Sequence, residues 1–216
     1  MPEAVFAVST TQKLIALTID DGPDPATTPA ILELLDEYGA YATFFVIGEY
    51  LAGNERIVER IVGSGHELGN HMMADRASIR LSEQEFAAEM IEAHRLLSPF
   101  GDVHWLRPAS GWYTPAMARL ARRHGYRIVL GSIFPLDHLI PSSGFASKFI
   151  ALNARPGRII VLHDGGGRGR RTLRTLRHGL PNLLGMGYEI VTVGELLRRT
   201  GRLGTGAEGG APSLPG

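Results

Sequence analysis

Five stretches of this sequence place acids, imidazoles or a guanidinium directly after apolar runs: Asp20 and Asp21; Asn70, His71 and Asp75; Arg107 and Ser110; Asp137 and His138; His163 and Asp164. Loops that only face solvent carry Lys, Ser and Glu in no order, so this concentration points to chemistry. Two adjacent carboxylates at a strand end point in different directions, so one can bind a cation while the other takes a proton. That division of labour suits metal-assisted hydrolysis, although a plain turn before Gly22 and Pro23 is the other reading of the pair. His71 and Asp75 are four apart. On a helical turn they would share a face and close on one ion with Asp21; otherwise they are a surface histidine and a helix-start acid. The chain has no cysteine, so any metal must sit on nitrogen and oxygen. His163 follows an almost wholly apolar segment, where its near-neutral pKa suits a general acid as well as a structural hydrogen bond. Arg107 offers a rigid fork of donors that suits holding a catalytic carboxylate, with a surface ion pair as the alternative.

The elements that must carry these residues alternate. Strand-like segments fall at Leu14 to Ile19, Ala42 to Ile47, His66 to Leu68, before Arg107, at Arg127 to Leu130, at Arg158 to Leu162 and at Tyr188 to Val193. Between them lie helical stripes: Pro29 to Leu35, Ile57 to Val62, a run from Ser82 with a capping box to Glu85, Met117 to Ala121, Phe145 to Leu152, Leu173 to Leu184 and Glu195 to Arg199. Six or seven strand-to-helix units demand a parallel sheet with helices outside it, as an open sheet or a barrel. In either, ligand chemistry lies at the carboxy-terminal strand ends, where the five polar stretches fall. The arginines at 168, 170, 171, 174 and 177, after the run Gly165 to Gly167, read as a solvated helix face, with an anionic ligand as the alternative.

Composition narrows the class. The chain of 216 residues is 44% hydrophobic and 20% charged, which excludes a mostly disordered protein and suits one domain. Residues 1–203 read as the catalytic domain and Gly204 to Gly216, rich in Gly, Pro, Ala and Ser, as a disordered tail. Lys and Arg number 22 against 22 Asp and Glu, so no basic excess marks a nucleic-acid partner. No apolar run reaches the length of a membrane span, and Met1 to Gln12 lacks the pattern of a secretory signal; for a complete chain the expectation is the cytoplasm. The sequence assigns no oligomeric state.

Taken in order, Thr18-Ile19-Asp20-Asp21-Gly22-Pro23, Gly65-His66-Glu67-Leu68-Gly69-Asn70-His71, Arg107-Pro108 with Gly111, Pro135-Leu136-Asp137 and Val161-Leu162-His163-Asp164 resemble the five motifs of the NodB-homology polysaccharide deacetylases, carbohydrate esterase family 4. The resemblance spans about Leu14 to Leu197. It implies a distorted (β/α) barrel of about seven parallel strands with outer helices, and a metal-dependent hydrolase removing N-acetyl groups from a chitooligosaccharide, peptidoglycan or related glycan. Asp20 would then be the general base, Arg107 its orienting residue, His163 the general acid and Asp137 the holder of its imidazole. Asp21 and His71 would ligate a divalent metal, zinc first, with manganese, cobalt or iron as alternatives.

Departures from the pattern define further expectations. Asp75 stands where the family usually has a second metal histidine, and as a third ligand it would make a harder, more anionic site. Ser110 replaces an aromatic residue whose backbone N–H helps hold the oxyanion, a role that does not depend on the side chain. Phe134 stands where an acid is frequent and His138 where Trp is. Trp112 and Tyr113 are expected as sugar-stacking walls, with core packing as the alternative. Two other functions stay open: a catalytically silent barrel binding glycan or a partner, and a hydrolase of a small non-sugar amide.

Overall fold

The computed structural model describes residues 4–137, 139–140 and 142–203; His138 and the expected tail at 204–216 lie outside them. Among the described residues the strands are β1 (Ala4–Val5), β2 (Leu14–Gly22), β3 (Ala42–Val46), β4 (Glu67–Asn70), β5 (Trp105–Leu106), β6 (Arg127–Val129), β7 (Ile159–His163) and β8 (Glu189–Val191). The helices are α1 (Thr28–Glu37), α2 (Glu55–Gly63), α3 (Glu83–Leu97), α4 (Pro115–Arg123), α5 (Ser143–Asn153), α6 (Gly166–Gly185) and α7 (Val193–Arg199). The strands pair in the order β1-β6-β5-β4-β3-β2-β7, all parallel, with β8 beside the start of β2. Beyond β6, Ile133 bridges Ile160 of β7, and the Ser132 and Ile133 N–H groups donate to the Ile159 carbonyl. A short segment, not a full ladder, thus draws the two edges together into a distorted (β/α) barrel. The strand absent from the sequence reading is β1, too short to show any periodicity.

Alternation along the strands sorts the side chains into two layers. Leu17, Ile19, Phe44, Leu106, Ile128, Ile160 and Leu162 share a core with helical residues such as Ile31, Leu35, Ile61, Phe86 and Leu176. Leu14, Ala16, Phe45, Trp105, Val129 and Ile159 form a second core on the other face of the sheet, inside the barrel. Carrying that parity forward places Thr18, Asp20, Gly69, His71, Arg107, Val161 and His163 on the inner face. The barrel interior therefore changes from apolar to polar toward the carboxy-terminal strand ends.

Helix starts are cut sharply by the sequence. Ser82 accepts from the Glu85 N–H while the Glu85 carboxylate takes the Ser82 N–H, the capping box expected for α3. Thr114, Ser142 and Thr192 cap α4, α5 and α7 in the same position. No helix among the described residues is long and apolar enough to cross a membrane.

Candidate active site

Arg107 organises one side of the barrel mouth. Its guanidinium donates to Asp20 Oδ1 at 2.5 Å, to Thr18 Oγ1 at 2.8 Å, and to the Val129 and Leu130 carbonyls at 3.0 and 2.9 Å. It also lies over the Phe45 ring, 4.1 Å from the centroid. Arg107, Asp20, Thr18 and Phe45 are all buried. Burial pulls the guanidinium below its usual range, opposed by the charge and hydrogen bond of Asp20. Asp20 is thereby fixed by a charge-assisted bond and by a strand on either side. Thr18 and Phe45, which sequence reasoning left out, complete the holder; Thr18 also donates to the Ile160 carbonyl at 2.7 Å.

His163 lies directly opposite Asp20 in the β2–β7 register, so the two side chains leave the sheet on the same face. Both Asp137 oxygens grip it: Oδ1 is 2.9 Å from Nδ1, and Oδ2 accepts the His163 N–H at 3.1 Å. The carboxylate makes Nδ1 the donor, so Nε2 is the nitrogen His163 offers to the cavity it lines. Burial alone would push the His163 pKa down, but the Asp137 hydrogen bond and the charges of Asp20, Asp137 and Asp21 raise it above the ordinary value. The neighbouring Asp164 is fully buried and structural. It accepts from Thr27 and Thr28 at the start of α1 and its N–H donates to the Asp20 carbonyl, tying that helix to the strand ends.

Asp21 and His71 meet on the other side. His71 Nδ1 is 2.7 Å from the Arg107 carbonyl oxygen, which can only accept, so Nδ1 carries a proton and Nε2 faces Asp21 Oδ1 at 3.4 Å. Burial would lower the His71 pKa, but Asp21 and Asp20 raise it. Burial would likewise raise Asp21, yet its hydrogen bond to His71 and the charges of His71, His163 and Arg168 bring it below the usual carboxylate range. Two donors on a tetrahedral ion, each about 2.0–2.1 Å from it, stand about 3.3–3.4 Å apart. The spacing of Nε2 and Oδ1 fits a divalent cation, which would take the place of the proton the pair shares.

Asp75 is not drawn onto that pair. Residues 71–76 form a bent loop instead of a helical turn, so the four-residue spacing does not stack His71 under Asp75. Asp75 Oδ2 instead faces the Arg168 guanidinium at 3.4 Å, while the other arm of Arg168 is 3.0 Å from Asp21 Oδ2. Among the described residues no three Asp, Glu or His groups converge on one point suited to an ion. Arg168 is the residue the sequence reading set on a solvated face. Helix α6 starts at Gly166, well before its leucine stripe, and its first turn aims Arg168 across the strand ends; the glycine run that begins two residues after His163 was the signal.

These groups share a cavity of about 690 Å³ that Asp20, Asp21, His71, Asp75, Arg107, His163 and Arg168 line together. Ser110, Trp112 and Tyr113 line it as expected, joined by Phe6 and Phe134. Trp112 stands 70% exposed at the mouth, whereas Tyr113 also packs on the core. Four non-glycine residues among those described have positive φ: Asp21, Met72, Ser110 and Leu136. Asp21 and Ser110 line the cavity, Met72 follows His71 and Leu136 precedes Asp137, the partner of His163, so left-handed backbone, rare for side-chain-bearing residues, is concentrated in the loops that aim this chemistry.

Comparison with known proteins agrees with the geometry. A family model described as polysaccharide deacetylase matches residues 7–129. A peptidoglycan-N-acetylglucosamine deacetylase of Bacillus cereus is 37% identical over 196 residues, covering 89% of this chain and 92% of the relative. A chitooligosaccharide deacetylase of a Bradyrhizobium strain is 32% identical over 190 residues, covering 82% and 87%. The crystal structure of a peptidoglycan N-acetylglucosamine deacetylase bound to 4-naphthalen-1-yl-N-oxidanyl-benzamide superposes with a TM-score of 0.85 at 28% identity, covering 90% of this chain and 92% of that one. The chain belongs to the polysaccharide deacetylase family.

Proposed function

We propose that this protein is a metal-dependent hydrolase that removes N-acetyl groups from a carbohydrate, a chitooligosaccharide or peptidoglycan strand. The observation that carries the reading is the register pairing of Asp20 with His163 across one cavity, each locked by its own partner, Arg107 and Asp137. Asp21 and His71 would hold the divalent ion, zinc first. When bound, such an ion polarises the acetyl carbonyl and acidifies water. Arg107 holds Asp20 still, so that its carboxylate takes a proton from the attacking water. His163, its imidazolium favoured by Asp137, gives the Nε2 proton to the departing sugar amine. The Ser110 main-chain N–H is assigned to the oxyanion. Trp112 at the rim offers an aromatic face to the sugar ring.

The test is acetate release, with an equal amount of free amine, from N-acetylchitooligosaccharides and peptidoglycan fragments, lost on chelation. Asp20→Asn should lower kcat by roughly 10²–10⁴-fold while the melting temperature holds. Product formation that survives chelation or Asp20→Asn would rule the mechanism out. One observation favours a second reading, a silent glycan-binding barrel: the Arg168 guanidinium lies on two of the three expected metal carboxylate and imidazole groups. Glycan binding without acetate release at saturating zinc or manganese would select it.

A further inference from the structure

Arg168 forms a wall between two cavities. On one side is the candidate active site; on the other is a space of about 670 Å³ lined by Asp24, Glu49, Tyr50 and Asn54. Asp21 and Arg168 border both. The two Asp21 oxygens are approached by different cations: His71 Nε2 on Oδ1 and the guanidinium on Oδ2. The Asp21 end of this bridge is buried, at 5% exposure, whereas the Arg168 and Asp75 side chains are 36% and 45% exposed. The arginine therefore reaches a buried carboxylate from outside, and it can withdraw without unpacking the core.

We propose that Arg168 is a resident counter-ion of Asp21, one that a divalent cation must displace to bind beside His71. Asp21 without a metal would be a buried anion, and the guanidinium neutralises it on Oδ2 as His71 does on Oδ1. A dication on the same carboxylate would repel the guanidinium at close range, so the two occupy the site in alternation. Displacement has somewhere to lead, since the second cavity presents the Asp24 and Glu49 carboxylates to the departing arm. It also releases Asp75 from its ion pair with Arg168, leaving a carboxylate beside the cavity. The inference rests on the hydrolase reading only in taking Asp21 and His71 as the cation site.

Calorimetric titration of zinc and manganese into chelator-stripped protein tests it, comparing the wild type with Arg168→Gln and Arg168→Lys. Arg168→Gln should bind the ion about 10–100-fold more tightly than the wild type, on the scale of groups adjoining a metal ligand. Arg168→Lys, which keeps the charge but loses the fork that spans Asp21 and Asp75, should also bind more tightly than the wild type, by a smaller factor than Arg168→Gln. Equal or weaker affinity in Arg168→Gln overturns the proposal, and so does failure of every form to bind. Should Arg168→Gln misfold, Arg168→Lys alone must still bind more tightly than the wild type because its fork is gone; equal affinity refutes the proposal. Acetate release measured on the same samples separates the two readings. Activity with equal affinities leaves the hydrolase standing and removes the role of Arg168, whereas tighter binding with no activity in any form does the reverse.

Discussion

His163 owes its proton affinity to its neighbours, because burial works against the imidazolium and Asp137, Asp20 and Asp21 outweigh it. The sign of the pH response follows. A general acid with a raised pKa keeps its proton above the ordinary histidine range, so the alkaline limb of kcat/KM lies above that of a free imidazole. Asp137→Asn removes the first of the raising groups and should move that limb to lower pH, along with a fall in kcat; a limb that stays in place would show that another group titrates. Most of this was legible in the sequence, because Asp20, Asp21, His71, Arg107, Asp137 and His163 each follow an apolar run that betrays a strand end. Thr18, Phe45 and Arg168 were not. The first two look like ordinary strand residues until the guanidinium is seen lying against them, and Arg168 depends on where a glycine-rich helix begins, which periodicity does not mark.

At the scale of elements, strand β4 shows why the string Gly65 to His71 has the residues it has. A Cβ on Gly69 would stand 2.5 Å from the Phe45 ring, which itself lies beneath Arg107. Gly69→Ala should therefore destabilise the fold by about 1–3 kcal/mol, as overpacking does, and lower activity by tilting the guanidinium; denaturant midpoints and acetate release would show both or refute the link. His66 serves the same strand pair from below, accepting the Ala42 N–H on Nδ1 at 3.2 Å. Burial pulls its pKa from 6.5 to about 4. With the folded value depressed, its contribution is present above pH 6.5 and is lost as pH falls toward 4. Between pH 7 and 4.5 this amounts to about 2 kcal/mol of stability. His66→Gln keeps an acceptor and does not titrate, so acid destabilisation over that range should shrink by about that amount in urea titrations at the two pH values. His66 has no ligand role; its place against Tyr41 and Phe44 is structural.

For the molecule as a whole, the barrel is unequal around its circumference. The β2 strand is buried along all nine residues and paired on both sides, whereas the side between β6 and β7 is linked by isolated bridges, Ala7 with Arg158 and Ile133 with Ile160. Amide exchange should follow this difference, with Ser132 and Ile133 exchanging by local opening well before Leu17 to Ile19; uniform protection would contradict it. The alternation of strands and helices made the barrel class readable, but the way the two sheet edges approach each other was not, because it depends on isolated bridges of single residues that leave no pattern. One residue reaches across these scales. The side chain of Arg107 anchors Asp20 while its main-chain carbonyl orients His71. Base and imidazole are thus referenced to one peptide unit, and any drift of that loop carries both together. Breathing of the weak seam can then shift the apparatus in space without altering its internal spacing, so catalytic geometry need not wait for a rigid barrel.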